Sequence, residues 1–537
     1  MSILRAPRSG WGILAIVIIF EASVWGVPAW ADETTQVRVL LTKFDAGDAR
    51  DAKLCSPTGP GNYDEHQDDA YVLLRESTTP VLGRSPAQPI QIVVDSSHVQ
   101  QTMLGHGAAM TDASAYVLMN LKAKNPILFA YVMKRFFAPK EGAGFSFLRL
   151  PMGASDYTAT DTYSTYCDEP SPDLRNFSTV HDAKYIIPAL QEALKLNPEI
   201  RLLGSPWSPP AWMKTNQSLK GISPKDKAAG KMCRLKPERF DTYAEYFVKF
   251  IEAYRAAGIE IYGVTPQNEP QLDAANYPCM RMDEDDQIKF VKLLGRKLEA
   301  KGLKTRIFVH DHNWALHPND RKAVGGDAKM DPVASATKIL SDPEAARYIA
   351  GTAWHCYYGD AALMKRTYET LHERFPDKQI LCTEASGWGK NRGHWFGDVE
   401  WGLSHNWLGG PQHWCEAALQ WNLVLDHKFG PTLRDDSQAT ALVTVNTDRY
   451  DEARFEREFY ALAQMSRAAR PGSKRITASV QAGNGAGLEL IAFKLSNGQM
   501  SLVVYNKNDA EKAFEVESNR RFFEYHLPAR SIATFVW

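Results

Sequence analysis

Between about Leu104 and Leu425 the sequence alternates short apolar runs, which are typical of buried strands, with amphipathic stretches of helical period. Eight strand candidates follow one another here: Leu104–Met110, Phe145–Pro151, Arg201–Pro206, Ile261–Pro266, Arg306–Asp311, Thr352–Tyr357, Gln379–Thr383 and Ala418–Leu423. Repeated strand–helix units favour parallel pairing, and eight of them can close into a ring. The pattern therefore predicts an α/β fold of the (β/α)8 TIM-barrel type.

Both ends of the chain are strand-like but lack these helical stretches. Residues 32–100 contain the apolar run Ile90–Asp95, and residues 441–537 contain two strand candidates joined by Asn497-Gly498. Asn-Gly suits the type I′ turn of a hairpin. We expect the two ends to form one appended β-sandwich beside a barrel of residues 101–440, with its C-terminal part at 441–537.

The first 31 residues have the order of a secretory signal. Arg5 and Arg8 precede the apolar run Trp11–Phe20, and Ala29-Trp30-Ala31 has the small-x-small pattern of a cleavage site. The run is too short to span a bilayer. We therefore expect residues 1–31 to be a signal peptide and the protein to be exported to the periplasm or the extracellular space.

Charge and cysteine usage limit the partners that the chain can have. Its formal net charge of −1 gives no basic surface for nucleic acid, so no nucleic-acid partner is expected. The seven cysteines show no C-x-x-C spacing, and no histidine motif of a metalloenzyme is present. The sequence predicts neither a metal nor another cofactor, and it leaves disulfide pairing and oligomeric state open.

Two glutamates carry the chemistry that the sequence suggests. Glu269, in Thr265–Pro270, and Glu384, in Leu381–Ser386, each follow an apolar run and are 115 positions apart. They would end the fourth and seventh strands, and catalytic residues of such barrels lie at the carboxyl ends of strands. Hydrolysis of a glycosidic bond with retention needs one protonated and one ionised carboxyl group, about 5–5.5 Å apart. The pair predicts a retaining β-glycosidase.

Polar residues at neighbouring strand ends fit the same chemistry. Tyr357 could donate a hydrogen bond to Glu384, and Arg149 could supply that carboxylate with a fixed positive charge. Asn268 is placed to bind a sugar hydroxyl beside the cleaved bond. Asp112, which follows the first strand, could accept hydrogen bonds from sugar hydroxyls or cap a helix.

Tryptophans are frequent at the same strand ends. The chain has 14, and several could stack on the apolar faces of sugar rings or pack in the core. The candidates at or just beyond strand ends include Trp207, Trp314 and Trp421.

From about residue 90 onward the chain resembles glycoside hydrolase family 30, and within it the glucosylceramidases. The matching segments are Gly105–Asp112, Arg149–Met152, Ser205–Asn216, Thr265–Pro270, His355–Tyr357, Thr383–Ala385 and Trp421-Asn422. The resemblance implies a (β/α)8 barrel with a side β-sandwich, retention and no metal. It implies Glu269 as acid/base and Glu384 as nucleophile. It also implies sugar-binding positions at Asp112, Trp207, Asn268 and Trp421. We add His355 and Tyr357 to the expected substrate-binding residues, with Arg149 and Trp314 in supporting positions.

Some segments depart from the glucosylceramidase pattern. His106 replaces a phenylalanine of its first-strand motif, while His310–Trp314 and His355–Asp360 are closer to members acting on β-1,6-glucan. The leading expectation is a β-glucosidase acting on glucosylceramide-type substrates, which would bring peripheral contact with lipid surfaces. The alternatives are a secreted endo-β-1,6-glucanase or xylan-active member and, more remotely, a non-catalytic carbohydrate-binding barrel.

Overall fold

The computed structural model describes most of the chain. The described residues are 36–44, 57–59, 62–63, 75–81, 88–160, 163–315, 332–387, 395–434 and 439–537. The predicted signal peptide, residues 1–31, lies outside these ranges.

Eight parallel strands form a closed barrel, as the sequence predicts. In chain order they are Gly105–Ala109, Phe147–Pro151, Arg201–Ser205, Gly263–Val264, Arg306–Asn313, Ile349–His355, Gln379–Glu384 and Cys415–Asp426. Each pairs with the next, and the eighth pairs with both the seventh and the first, which closes the ring. The prediction of a (β/α)8 barrel is confirmed.

The fourth barrel strand is shorter than the sequence indicates. Its ladder covers only Gly263–Val264, although Ile261–Pro266 reads as one apolar run. Pro266 has no N–H to donate, so regular pairing cannot continue through it. Glu269 consequently lies on a loop after the strand, whereas Glu384 ends the seventh strand as expected.

The helices lie between the strands and cover the barrel. The helix Phe240–Ala256 buries its apolar side, including Phe247 and Ile251, and ends before Gly258, whose φ of +79° favours glycine. The α-helices are Asp112–Lys124, Pro126–Phe137, Ile186–Leu196, Pro224–Ala228, Phe240–Ala256, Glu284–Ala300, Pro332–Ser341, Pro343–Ala346, Ala361–Arg374, Trp395–Gly402, Gly409–Gln412 and Arg457–Ala468. Short 3₁₀ turns at Ala211–Met213 and Pro237–Arg239 and a π-helical turn at Leu403–Trp407 accompany them.

Strands from both chain ends form a second, nine-stranded sheet. Its members are Gln36–Lys43, Arg75–Pro80, Gln91–Thr102, Lys474–Ala482, Leu488–Lys494, Met500–Asn506, Lys512–Ser518, Arg521–Leu527 and Ser531–Val536. Its two edge strands come together, since the Thr79 hydroxyl donates to the Glu524 carbonyl at 3.1 Å. The sheet thus encloses its own apolar core, and the predicted sandwich built from both ends is confirmed. A separate small hairpin joins Pro57–Gly59 to Asn62–Tyr63.

Two more strands, Ala441–Val445 and Ala453–Phe455, extend the barrel sheet beyond its eighth strand. Side chains from six of the barrel strands pack inside the ring, among them Phe147, Leu203 and Phe308, so the barrel interior is a core. Within the described ranges, no helix has both the length and the apolar character needed to cross a membrane.

Candidate active site

The two glutamates line one cavity of about 320 Å³ at the carboxyl-terminal face of the barrel. Glu384 is placed by the last residue of the seventh strand. Glu269 adopts φ of +46°, and its N–H donates to the Asp311 carbonyl at 3.0 Å. His355 Nδ1 lies 3.1 Å from Oε1 of Glu269 and 4.0 Å from Oε1 of Glu384. The predicted pair is therefore brought together on one substrate-sized cavity.

A fully buried arginine connects Glu384 and the loop that carries Glu269 with the fifth strand. Arg149, on the second strand, donates through Nη1 to Glu384 Oε2 and through Nη2 to Asp311 Oδ2 at 2.9 Å. Nη2 also lies 2.7 Å from Asn268 Oδ1 and 3.1 Å from Ser205 Oγ. The predicted charge beside Glu384 is present, and the same group orients the Asn268 amide.

The contacts of Glu384 favour its ionised form. Burial, together with the charge of Glu269, raises the pKa of this carboxyl above its ordinary value, although the charges of His355 and Arg149 and a hydrogen bond from Tyr357 act in the opposite direction. The Tyr357 hydroxyl donates to Glu384 Oε1 at 2.9 Å, as the sequence suggested. Because Arg149 and Tyr357 both donate to it, the carboxylate is the form that these contacts stabilise.

Two histidines surround Glu269. Its Oε1 lies 3.1 Å from His355 Nδ1 and 3.6 Å from His312 Nδ1. Burial raises the pKa of Glu269, but hydrogen bonds and charges from the histidines outweigh it and bring the pKa below its ordinary value. Burial lowers the pKa of His355, yet the charge of Glu384 and hydrogen bonds to Asp311 and Glu269 shift it upward overall.

These three side chains, Glu269, His312 and His355, also form the one cluster of metal-ligand type found among the described residues, with donor atoms within 4.8 Å. The two His355 nitrogens lie 3.1 Å from Glu269 Oε1 and 3.2 Å from Asp311 Oδ1. Each nitrogen is therefore within hydrogen-bonding distance of a carboxylate oxygen, and we assign no metal to the cluster.

His355 and Trp314 lie behind the cavity. The His355 ring is fully buried between Glu269 and Asp311, which leaves it no surface for the sugar contact predicted from the sequence. Trp314 is also fully buried, and its indole N–H donates to the Tyr368 hydroxyl at 3.1 Å. His355 thus contacts the site from within the core, and the supporting role of Trp314 stays a prediction.

The structure places a different aspartate at the cavity from the one that the sequence suggested. Asp112 accepts hydrogen bonds from the Ala159 N–H and His181 Nε2, both at 2.7 Å, and among the described residues it is not part of the cavity lining. Asp156 does line the cavity. Burial raises the pKa of Asp156 to about 7, with the charge of Glu384 adding to the effect.

Two of the predicted tryptophans form an aromatic wall. Trp207 and Trp421 stack with ring centroids 4.9 Å apart, and both line the cavity beside Asn268. The Arg149 guanidinium lies 4.8 Å from the Trp207 ring centroid. Trp207, Asn268 and Trp421, three of the predicted substrate-binding residues, therefore lie together at the cavity.

The sequence did not identify several other lining residues. They are Asp156, Leu272, Ala274, Asn276, Tyr277, His312, Asn313, Tyr358, Arg434 and Ala439. Most lie on loops that follow barrel strands, where a single sequence gives no periodic signal. The histidines and asparagine of His310–Asn313 were visible as an unusual polar run ending a strand.

A (β/α)8 barrel that opens a cavity between two glutamates at its carboxyl-terminal face has the architecture of a glycoside hydrolase. A sequence model of the glycosyl hydrolase family 30 TIM-barrel domain matches residues 103–469, and one of the family's β-sandwich domain matches residues 472–535. The chain belongs to glycosyl hydrolase family 30, as its motifs indicated. It is a glycoside hydrolase.

Relatives with two activities are similar to this chain. The lysosomal acid glucosylceramidase of Mus musculus is 28% identical over 452 residues, covering 81% of each chain. An endo-1,6-β-D-glucanase of Neurospora crassa is 29% identical over 475 residues, covering 86% of this chain and 91% of its own. The solved structure of an endo-β-1,6-glucanase superposes with a TM-score of 0.77 at 28% identity, covering 94% of this chain and 99% of that one.

Proposed function

We propose that the protein is a retaining β-glucosidase in which Glu269 is the acid/base and Glu384 the nucleophile. The observation that carries the proposal is the shared position of the two carboxyl groups. Both have an oxygen within 4.0 Å of His355 Nδ1, on one cavity. Such closeness fits the short separation of retaining enzymes better than the wider gap that an inverting enzyme needs for its water.

The reaction takes two displacements. Glu269 protonates the glycosidic oxygen while Glu384 attacks the anomeric carbon, so that the C1–O bond breaks and a glycosyl–enzyme ester forms. Glu269 then takes a proton from water, and the water oxygen displaces Glu384 from C1. Arg149 and Tyr357 stabilise Glu384 as a carboxylate before attack and after release.

The glycone is held by the deep part of the cavity. Trp207 and Trp421 offer aromatic faces for the apolar side of a sugar ring, and both are only 2% exposed. Asn268 directs its Oδ1 towards Arg149, so its NH₂ group is the part that can donate to a hydroxyl. Asp156 can bind hydroxyl groups on the same wall.

On the acceptor side we propose a β-1,6-linked glucan as the leading substrate. The more exposed lining residues include Asn276, Tyr358 and Arg434, which suit a hydroxylated acceptor. Leu272 and Ala274 at the same opening favour a second candidate, a glucosylceramide-type lipid, with its peripheral contact at a lipid surface. The sequence identity to relatives of the two activities is almost the same, so it does not favour either candidate.

The test compares hydrolysis of linear β-1,6-glucan with hydrolysis of detergent-dispersed glucosylceramide. Glu384→Gln should lose on the order of 10³-fold or more of the turnover on the preferred substrate. Glu416→Gln is the matched control, since Glu416 is a half-buried glutamate at the start of the eighth strand. It should leave turnover nearly unchanged.

A mechanism-based 2-deoxy-2-fluoro-β-glucosyl fluoride should label Glu384, which peptide mass spectrometry detects. Full turnover by Glu384→Gln, or a label on another residue, would show that the nucleophile is misassigned. Release of product from the lipid alone would replace the glucan as substrate while leaving the catalytic roles intact.

Export is part of the proposal and rests on the N-terminal sequence. Amino-terminal sequencing of the protein from its native host should begin at Asp32. A mature chain that begins at Met1 would contradict it.

A further inference from the structure

The histidine behind the two glutamates is held in one tautomer. His355 Nε2 faces Asp311 Oδ1 at 3.2 Å, and that oxygen also accepts from the Thr383 hydroxyl at 2.7 Å. Burial raises the pKa of Asp311, but the charge of Arg149 and hydrogen bonds from neighbours such as His355 bring it well below its ordinary value. Since Asp311 is a carboxylate and can only accept, the proton belongs to Nε2.

Arg149 does not change this assignment, although its Nη2 lies 3.4 Å from His355 Nε2. Nη2 carries two hydrogens, and three acceptors lie closer to it. They are Asn268 Oδ1 at 2.7 Å, Asp311 Oδ2 at 2.9 Å and Ser205 Oγ at 3.1 Å. The hydrogens of Nη2 are therefore used elsewhere, and Nε2 remains a donor.

The other ring nitrogen, Nδ1, can then form a hydrogen bond with Glu269 only if a proton lies between the two. His355 Nδ1 lies 3.1 Å from Glu269 Oε1, a hydrogen-bond distance. With Nε2 already protonated, Glu269 can be a neutral acid that donates to Nδ1, or a carboxylate that accepts from a charged ring. Both arrangements hold one proton, so the proton count belongs to the pair.

We propose that His355 is a positioning residue that shares with Glu269 the proton delivered to the leaving-group oxygen. The proposal rests on the acid/base role proposed for Glu269. In the first displacement this proton bonds to the glycosidic oxygen as the C1–O bond breaks, leaving neutral His355 beside ionised Glu269. In the second, a proton from water returns to the pair while the water oxygen bonds to C1 and Glu384 leaves.

The charges around the pair favour one bound proton. Ionised Glu384 lies 4.0 Å from His355 Nδ1, and ionised Asp311 lies 3.2 Å from Nε2. His312, from the fifth strand, approaches Glu269 Oε1 at 3.6 Å. Other titratable or charged groups near the pair, within the described part of the chain, include Arg149, Asp156, Tyr277, His310, Tyr357 and Arg434. The pKa directions agree, because that of Glu269 falls while that of His355 rises.

The test uses two substrates that differ in their need for a proton. Cleavage of 2,4-dinitrophenyl β-glucoside releases dinitrophenolate, a stable anion that needs no proton. The 4-methylumbelliferyl group of the second glucoside is a poorer leaving group and departs more slowly without an acid. In His355→Gln, kcat/KM for the methylumbelliferyl substrate should fall by about 10²-fold or more, and that for the dinitrophenyl substrate by less than about 10-fold. The basic limb of the methylumbelliferyl kcat/KM profile should move about one pH unit or more towards acid.

His106→Gln is the matched control. His106 is a fully buried histidine of the first strand, and burial lowers its pKa to about 4. Its replacement should change kcat/KM for both substrates by the same factor and leave the basic limb in place. His355→Asn repeats the test with a shorter side chain if His355→Gln does not fold.

Equal losses on the two substrates in the His355 variants, with an unmoved basic limb, would reduce His355 to a packing role and overturn the proposal. The mechanism-based label separates this result from failure of the proposed function. Label on Glu384 together with equal losses overturns only the role of His355. Label elsewhere overturns the catalytic assignment itself.

Discussion

Arg149 is the residue whose replacement should disturb the site most. Its side chain is fully buried and pairs with two carboxylates, Asp311 and Glu384. In Arg149→Met the apolar stem is kept and the cation is lost. Both carboxylates then stay buried without their positive partner, and Asn268 loses the donor that orients its amide.

The expected loss in the free energy of unfolding depends on the contacts that the two carboxylates keep after the substitution. Removing one partner of a buried ion pair costs about 3–5 kcal/mol, because the other charge is left uncompensated. Asp311 keeps donors from Ser205 and Thr265, so the cost should not rise to that of two bare charges. Arg149→Lys keeps the charge but lacks the planar fork that reaches both carboxylates, and losing one charge-assisted hydrogen bond costs about 1.5–3 kcal/mol.

Urea unfolding monitored by tryptophan fluorescence at pH 7 measures both effects. Arg201→Met is the control, since its half-buried guanidinium donates to the Leu104 carbonyl at the other end of the barrel. We expect that control to cost about 1 kcal/mol. A free energy of unfolding of Arg149→Met within about 1 kcal/mol of the wild type would refute the reasoning. So would a lysine variant as unstable as the methionine variant.

Two further variants test buried polar groups. Burial and nearby negative charges raise the pKa of Asp156 from 3.8 to about 7, so the native state binds a proton that the unfolded chain releases above pH 3.8. The free energy of unfolding should therefore fall as the pH rises from 3.8 to about 7. Between pH 5 and pH 8 the Tm of Asp156→Asn should consequently fall less than the Tm of the wild type. Equal changes in the two Tm values would contradict this. Lys214 Nζ is buried and donates to the carbonyls of Leu219 and Cys279, both at 2.7 Å. Lys214→Met should lower the free energy of unfolding by about 2 kcal/mol or more, measured by urea unfolding, and a loss below about 0.5 kcal/mol would show that these contacts matter little.

The barrel could be predicted because its signals are local and repeated. Each strand is a short apolar run, and helices such as Phe240–Ala256 bury residues at helical spacing. The fourth strand shows the limit of this reasoning. Its run continues to Pro266, but pairing depends on backbone donors across the sheet, and the ladder covers only Gly263–Val264.

The site was predictable where side chains sit at strand ends. Glu384 ends its strand, Tyr357 follows the end of the sixth strand and Arg149 lies two residues before the end of the second, and each makes the contact expected of it. Asp112 and Asp156 show that a sequence does not reveal which aspartate tertiary contacts will bring to the cavity. Asp112 begins a helix and is held by His181, while Asp156 reaches the cavity from a loop whose path depends on tertiary contacts.

Backbone conformation adds a constraint on Glu269, the proposed acid/base, that no motif contains. Three non-glycine residues of the site are left-handed: Glu269, His310 and Asp311, with φ of +46°, +79° and +50°. Each such conformation costs about 1–3 kcal/mol and persists only because the surrounding contacts fix it. In the fifth strand the pairing register shifts between His310 and His312, which marks a bulge that re-aims the side chains around it.

This bulge links the surroundings of Glu269 with those of Glu384. It turns the Asp311 carboxylate inward to Arg149 and His355, and it presents the Asp311 carbonyl to the Glu269 N–H at 3.0 Å. Asp311, which contacts His355 through its carboxylate, therefore also holds the backbone of Glu269 through its carbonyl. The position of Glu269 consequently depends on the fifth strand as much as on the fourth.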